Sequence, residues 1–66
     1  MLRAACDVGP GDVILRVSPT GAAREYLVAD VRLCLRTAHA RYAFAVSSGD
    51  TIGWFEECDL IDIKED

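Results

Sequence analysis

The sequence predicts an all-β domain, a small antiparallel barrel of five short strands with one helical turn near its C-terminus. Three observations carry that expectation. Apolar residues alternate with polar or small ones in four separate stretches, the period of a strand with one buried face. Clusters rich in Gly, Pro, Ser and Asp separate those stretches at residues 8–12, 18–21 and 48–50, and such clusters reverse a chain. Finally, 66 residues suit one domain, residues 1–66, and short connections are what antiparallel neighbours need.

Taken in order, Val8-Gly9-Pro10-Gly11-Asp12 is a turn, because proline fixes φ and the flanking glycines supply freedom. Residues 12–18 form the first expected strand. Val13, Leu15 and Val17 share one face, Asp12, Arg16 and Ser18 the other, and Ile14 falls out of pattern. After the turn at 18–21, residues 24–37 fit two templates. As a strand, Leu27, Ala29, Val31, Leu33 and Leu35 share an apolar face opposite Asp30, Arg32, Cys34 and Arg36. As a helix, Leu27, Val31, Cys34, Leu35 and Ala38 form a stripe. The strand is preferred, since strand patterns lie on both sides of it. Residues 37–40 are then a hairpin loop, although without the Gly or Asn common there.

Residues 41–47 alternate Tyr42, Phe44 and Val46 with Arg41, Ala43, Ala45 and Ser47. The aromatic set is the natural partner for Leu33 and Leu35 across the hairpin. In residues 51–55, Ile52 and Trp54 alternate with Thr51, Gly53 and Phe55, and Gly53 between large residues marks a bend or a close backbone approach. Residues 56–59 read as one helical turn, residues 60–63 as the closing strand, and Lys64-Glu65-Asp66 as a frayed polar end.

Gly53-Trp54-Phe55, one turn and then Leu60 resemble the end of a Src-homology-3-like barrel, where a Gly-aromatic-aliphatic strand, a 3₁₀ turn and a closing strand follow one another. Gly49, Trp54-Phe55, Glu57 and Leu60 are also similar to small uncharacterised barrels of phage and bacterial mobile elements. The likeness covers the last third of the chain, and the rest only by strand count. Peptide-binding members carry a Pro after that strand and a Tyr three residues later, where this chain has Glu56 and Asp59. It also lacks their Ala-Leu-Tyr-Asp-Tyr stretch and paired Trp. The resemblance therefore implies a fold, not recognition of proline-rich peptides.

A domain of this length buries only about 60% of its unfolded surface, so disulfides, a metal or association are the usual aids. Cys6, Cys34 and Cys58 are odd in number and widely spaced, which argues against a disulfide framework and for a reducing, cytoplasmic setting. Cys34 with His39 supplies two ligands where zinc needs four, and Glu56, Glu57 and Asp59 lack the spacing of a calcium loop. No cofactor motif is present, and no stretch nears the ~20 apolar residues of a membrane span. His39 has no marked acid to orient it as a base for Cys34, so no enzyme is expected.

Association remains, in a chain that is 52% hydrophobic. Ile14, Tyr26 and Val28 interrupt polar faces, and the expectation is that they form an exterior patch covered by a second copy, giving a homodimer. An exposed Trp54 is the candidate anchor for another protein partner. The alternative is nucleic-acid binding through Arg16, Arg32 and Arg36, which share the polar faces of their strands. Charge speaks against it. Up to Gly49, six arginines stand against Asp7, Asp12, Glu25 and Asp30, a balance of +2, and from Asp50 Lys64 stands against seven acids, a balance of −6. A net charge of −4 is not the basic footprint of a nucleic-acid domain.

Overall fold

Every alternating stretch is a strand in the computed structural model, which describes residues 1–65. The chain is all-β. Its elements are β1 (Leu2–Ala4), a 3₁₀ turn (Ala5–Asp7), β2 (Val13–Val17), β3 (Ala23–Arg36), β4 (His39–Val46), β5 (Thr51–Glu56) and β6 (Leu60–Asp62). Strands β2-β3-β4-β5 form one curled antiparallel sheet, half of a barrel, and β1 pairs with β6 in a second. The two sheets meet where Ile14 bridges Ile63 and where the Lys64 N–H bonds the Val13 carbonyl at 2.9 Å. Residues 24–37 are thus strand rather than helix.

Three features differ from expectation. There are six strands among the described residues, because Leu2–Ala4 pairs with the closing strand, Arg3 facing Ile61. The helical turn lies near the N-terminus, while residues 56–59 make a β-turn in which the Asp59 N–H bonds the Glu56 carbonyl at 3.0 Å and the Asp59 carboxylate accepts from the Glu56 N–H at 2.9 Å. The 3₁₀ turn sits on that β-turn through Ala5 N–H to the Asp59 carbonyl, 2.8 Å. Lys64 is held rather than frayed, with its ammonium 2.9 Å from Glu25. Asp66, expected in the same frayed end, lies outside the described residues.

The turn at residues 8–12 is locked by its own aspartate. Asp12 accepts from the Gly9 N–H and from Arg3 Nη1, each at 2.9 Å. The first bond closes the turn and the second ties it to β1. Both favour the carboxylate, and the Asp12 pKa is lowered, first by the Gly9 amide and then by Arg3 against the opposing cost of desolvation.

Register decides which side chains reach the core. Ile14 faces Tyr26 and Val13 faces Leu27 in the β2–β3 pair. In the β3–β4 pair Val28 faces Val46, Ala29 is an extra residue, and then Asp30 faces Ala45 and Val31 faces Phe44. A bulge of this kind flips the inward parity of a strand. Before Ala29 the even residues point in, and after it the odd ones do. Ile14 is therefore 1% and Val28 2% exposed, both core residues rather than members of an exterior patch, and Val17 and Leu27 are exposed instead. Phe44, Ile14, Ile63 and Val28 are the largest fully buried side chains, each stabilising by about 1.5–3 kcal/mol through removal from water. Phe55 packs on Phe44 with ring centroids 5.9 Å apart.

The 14 residues of β3 would run about 43 Å if straight, yet the longest extent of the molecule is 37 Å. β3 is accordingly bent and coiled. Its far half still outreaches its neighbours, because β5 accompanies β4 only as far as Arg41 facing Glu56. Residues 35–40 project as a two-stranded tip.

Candidate interaction surface

The projecting β3–β4 hairpin has two chemically distinct faces. On the inner face Val31, Leu33 and Leu35 stand opposite Phe44, Tyr42 and Ala40, continuing the core outward. Leu33 is 52% and Leu35 75% exposed, because the core beneath them has ended. On the outer face Arg32, Cys34 and Arg36 stand opposite Ala43, Arg41 and His39, with Glu56 beside Arg41 on β5. Three arginines and a histidine thus share one surface with two carboxylates, Asp30 at its base and Glu56 beside Arg41.

A second bulge places Trp54. Ala43 faces Gly53 and Tyr42 faces Phe55, which leaves Trp54 as the unpaired residue between them. Simple alternation sets Trp54 on the side of Ile52, whereas the bulge gives that side to Phe55 and leaves Trp54 54% exposed. Bulges re-aim side chains in this way. Gly53 beside it has the close approach expected of it: a Cβ there would meet Ala43 Cβ at 2.7 Å and Ala43 Cα at 2.8 Å.

The structure divides the residues singled out in the sequence. Of Ile14, Tyr26, Val28 and Trp54, the first and third are core, Tyr26 packs partly buried against that core, and Trp54 alone is largely exposed. Arg32 and Arg36 share the outer face of the hairpin, but Arg16 does not join them. It faces Arg24 across the β2–β3 pair, and eight residues of strand from Arg24 to Arg32 span about 26 Å. Arg16 instead lines a shallow cleft with Arg24, Tyr26, Asp50 and Ile52. His39 and Arg41, which the sequence pattern does not group with the arginines of the preceding strand, are the closer companions of Arg32 and Arg36.

Away from this hairpin, the Cys6 N–H bonds the Glu57 carbonyl at 3.3 Å, which brings Cys6 near Cys58. Cys6 and Cys58 are exposed and Cys34 is half-buried, all three as free thiols. The Cys6 thiol is pushed up, by local desolvation first and then by the Asp7 carboxylate, which disfavours the nucleophilic thiolate. Among the described residues no group of three or more His, Cys, Asp or Glu is placed to hold a metal ion. No helix among them is long and apolar enough to cross a membrane. No protein-family model, curated protein or solved structure matches the chain.

Proposed function

We propose that this protein is a small non-enzymatic interaction module that works by associating with a second copy of itself, on a half-barrel of Src-homology-3-like type similar to those of phage and bacterial mobile elements. The observation that carries the reading is the inner face of the projecting hairpin. Leu33 and Leu35 are more than half exposed on a face continuous with the core, and an apolar strip that extends the core beyond its own cover is the kind of surface partners bury. The non-enzymatic half rests on His39, whose cross-strand neighbour is Arg36, a cation rather than the carboxylate that orients a base. Reducing, cytoplasmic conditions suit the three free thiols. Sedimentation equilibrium over a micromolar to millimolar range tests the reading. A concentration-dependent dimer is expected, and a monomer throughout refutes it.

A second reading is favoured by Arg32, Arg36, His39 and Arg41 gathering on the outer face, with the exposed aromatic Trp54 on the adjoining strand. Arginines interleaved with a stacking side chain are the equipment of single-strand nucleic-acid binding. The acid-rich segment after Asp50 opposes it, and the dependence of affinity on salt separates the two readings.

A further inference from the structure

β2 pairs with β3 over the segment that ends at Leu27, and β4 pairs with β3 from Val28 to Arg36. From Ala29 onward one edge of β3 has no strand partner among the described residues. Backbone groups of an antiparallel strand point alternately to its two sides. Arg36 and His39 close a two-residue hairpin, and if Arg36 turns its N–H and C=O to β4, Cys34 and Arg32 do the same. Val31, Leu33 and Leu35 then present theirs to the open edge. The Asp30 carboxylate accepts from the Val31 N–H at 2.9 Å, as befits an amide with no strand carbonyl to meet.

We infer that this open edge is the self-association surface, pairing antiparallel with the same segment of a second copy about a two-fold axis at Leu33. The inference rests on the proposed self-association and specifies where and in what register it occurs. Facing residues about such an axis have numbers with a constant sum, and an even sum matches outward-pointing residues with each other. Three registers centre on the middle of the edge. Centred on Arg32, the pairing sets two Arg32 side chains opposite each other. Centred on Cys34, it sets Arg32 against Arg36 of the second copy. Both put like charges face to face, which destabilises a pair of strands.

Centred on Leu33, the charges match. Asp30 faces Arg36 of the second copy, Arg32 faces Cys34, Val31 faces Leu35, and Leu33 faces its own copy. The exposed Leu33 and Leu35 gain apolar neighbours on one continuous face, and the carboxylate of Asp30 exchanges the Val31 N–H for a guanidinium. Val31, Leu33 and Leu35 on each copy complete the ladder by strand addition, in which main-chain bonds give affinity and side-chain matching gives register. Arg32 and Arg36 also serve as edge charges that discourage uncontrolled pairing. An interface of one short strand belongs to the weak, reversible class below about 1,200 Å².

The test uses the full chain with Cys6, Cys34 and Cys58 replaced by Ser, into which Leu33→Cys or Leu35→Cys is introduced. Two residues at the axis lie about 5.5 Å apart between Cα atoms, within disulfide reach. Leu33→Cys is expected to form a covalent dimer on mild oxidation. Residue 35 and its symmetry mate are offset by about 13 Å along the strands, so Leu35→Cys is not. Charge exchange gives an independent arm that does not touch the apolar face. Arg36→Asp is expected to weaken dimerisation about tenfold, since two opposite pairs become two like pairs, and Asp30→Arg added to it to restore most of the loss. A dimer by sedimentation that Leu33→Cys fails to cross-link and Arg36→Asp leaves unchanged overturns this edge while sparing self-association. A monomer at every concentration overturns both.

Discussion

Replacing Gly53 by alanine is expected to destabilise the fold by about 1–3 kcal/mol, the usual cost of forcing a methyl group into a filled site. The added Cβ would lie 2.7 Å from Ala43 Cβ, 2.8 Å from Ala43 Cα and 3.1 Å from the Tyr42 carbonyl oxygen, where carbons in contact rest at roughly 3.5–4.0 Å. Two of those three atoms are backbone of β4, which is held by β3 on one side and β5 on the other, and Ala43 is itself fully buried. Nothing nearby is a flexible side-chain end that yields cheaply. Gly53 does not have positive φ, so the cost is steric and not conformational.

For a domain whose whole stability is about 3–10 kcal/mol at 0.05–0.15 kcal/mol per residue, this is a large fraction. At about 4–8 °C per kcal/mol for a chain of this size, the melting temperature followed by circular dichroism should fall by at least about 4 °C. Ala43→Gly in the same chain removes the facing Cβ but leaves the 2.8 Å contact with Cα, so the double variant should recover part of the loss and no more. A Gly53→Ala melting temperature within about 2 °C of the parent would refute the close approach of β4 and β5.

Three further outcomes are expected. Ile14→Ala should cost about 2–5 kcal/mol in urea unfolding and Val17→Ala less than about 0.5 kcal/mol, the contrast between a core and a surface position. Reversal of that order would restore the face assignment that the register rejects. Asp12 has a lowered pKa, so its contribution is fully present above the ordinary carboxylate value of about 3.9 and is lost as pH falls through the folded value. Asp12→Asn should therefore flatten the acid limb of a stability-against-pH curve. An acid limb identical in the variant would sink the assigned role. For nucleic acid, no binding tighter than ~10⁻⁴ M at physiological salt is expected. Micromolar, salt-steep binding abolished by Arg32→Ala with Arg36→Ala would put the second functional reading first.

Much of this fold is legible in the sequence because alternation survives wherever one face is buried. The five strands read from residues 12–18, 24–37, 41–47, 51–55 and 60–63 are all present, with ends displaced by one or two residues. β1 was not legible. Three residues are too few to show a period, and its pairing with β6 joins the two ends of the chain, which no local pattern encodes. Side-chain direction was the weaker reading. In Val13-Ile14-Leu15 both faces are apolar, so a count favoured Val13, Leu15 and Val17, while the register with Tyr26 and the bridge to Ile63 turn Ile14 inward. The Trp54 bulge had a signal in Gly53. The Ala29 bulge had none, because alanine adopts its place without demanding an unusual backbone.

That silent bulge is what gives β3 two roles. Up to Leu27 the strand pairs with β2, from Val28 it pairs with β4, and before the bulge its even residues feed the core. Past Ala29 it loses β2 as a neighbour, and the phase shift hands the inward face to Val31, opposite the fully buried Phe44, and then to Leu33 and Leu35. Without the extra residue the same stretch would send Asp30, Arg32, Cys34 and Arg36 toward the core side and strand the leucines on the outside, away from any apolar neighbour. One inserted residue therefore sets the apolar strip in line with the core, gathers the arginines on the opposite face, and leaves the open edge between them carrying Asp30 at one end and Arg36 at the other. Charges of opposite sign at the two ends of an antiparallel self-pairing segment meet their complements only when its centre is the axis, and that condition selects Leu33.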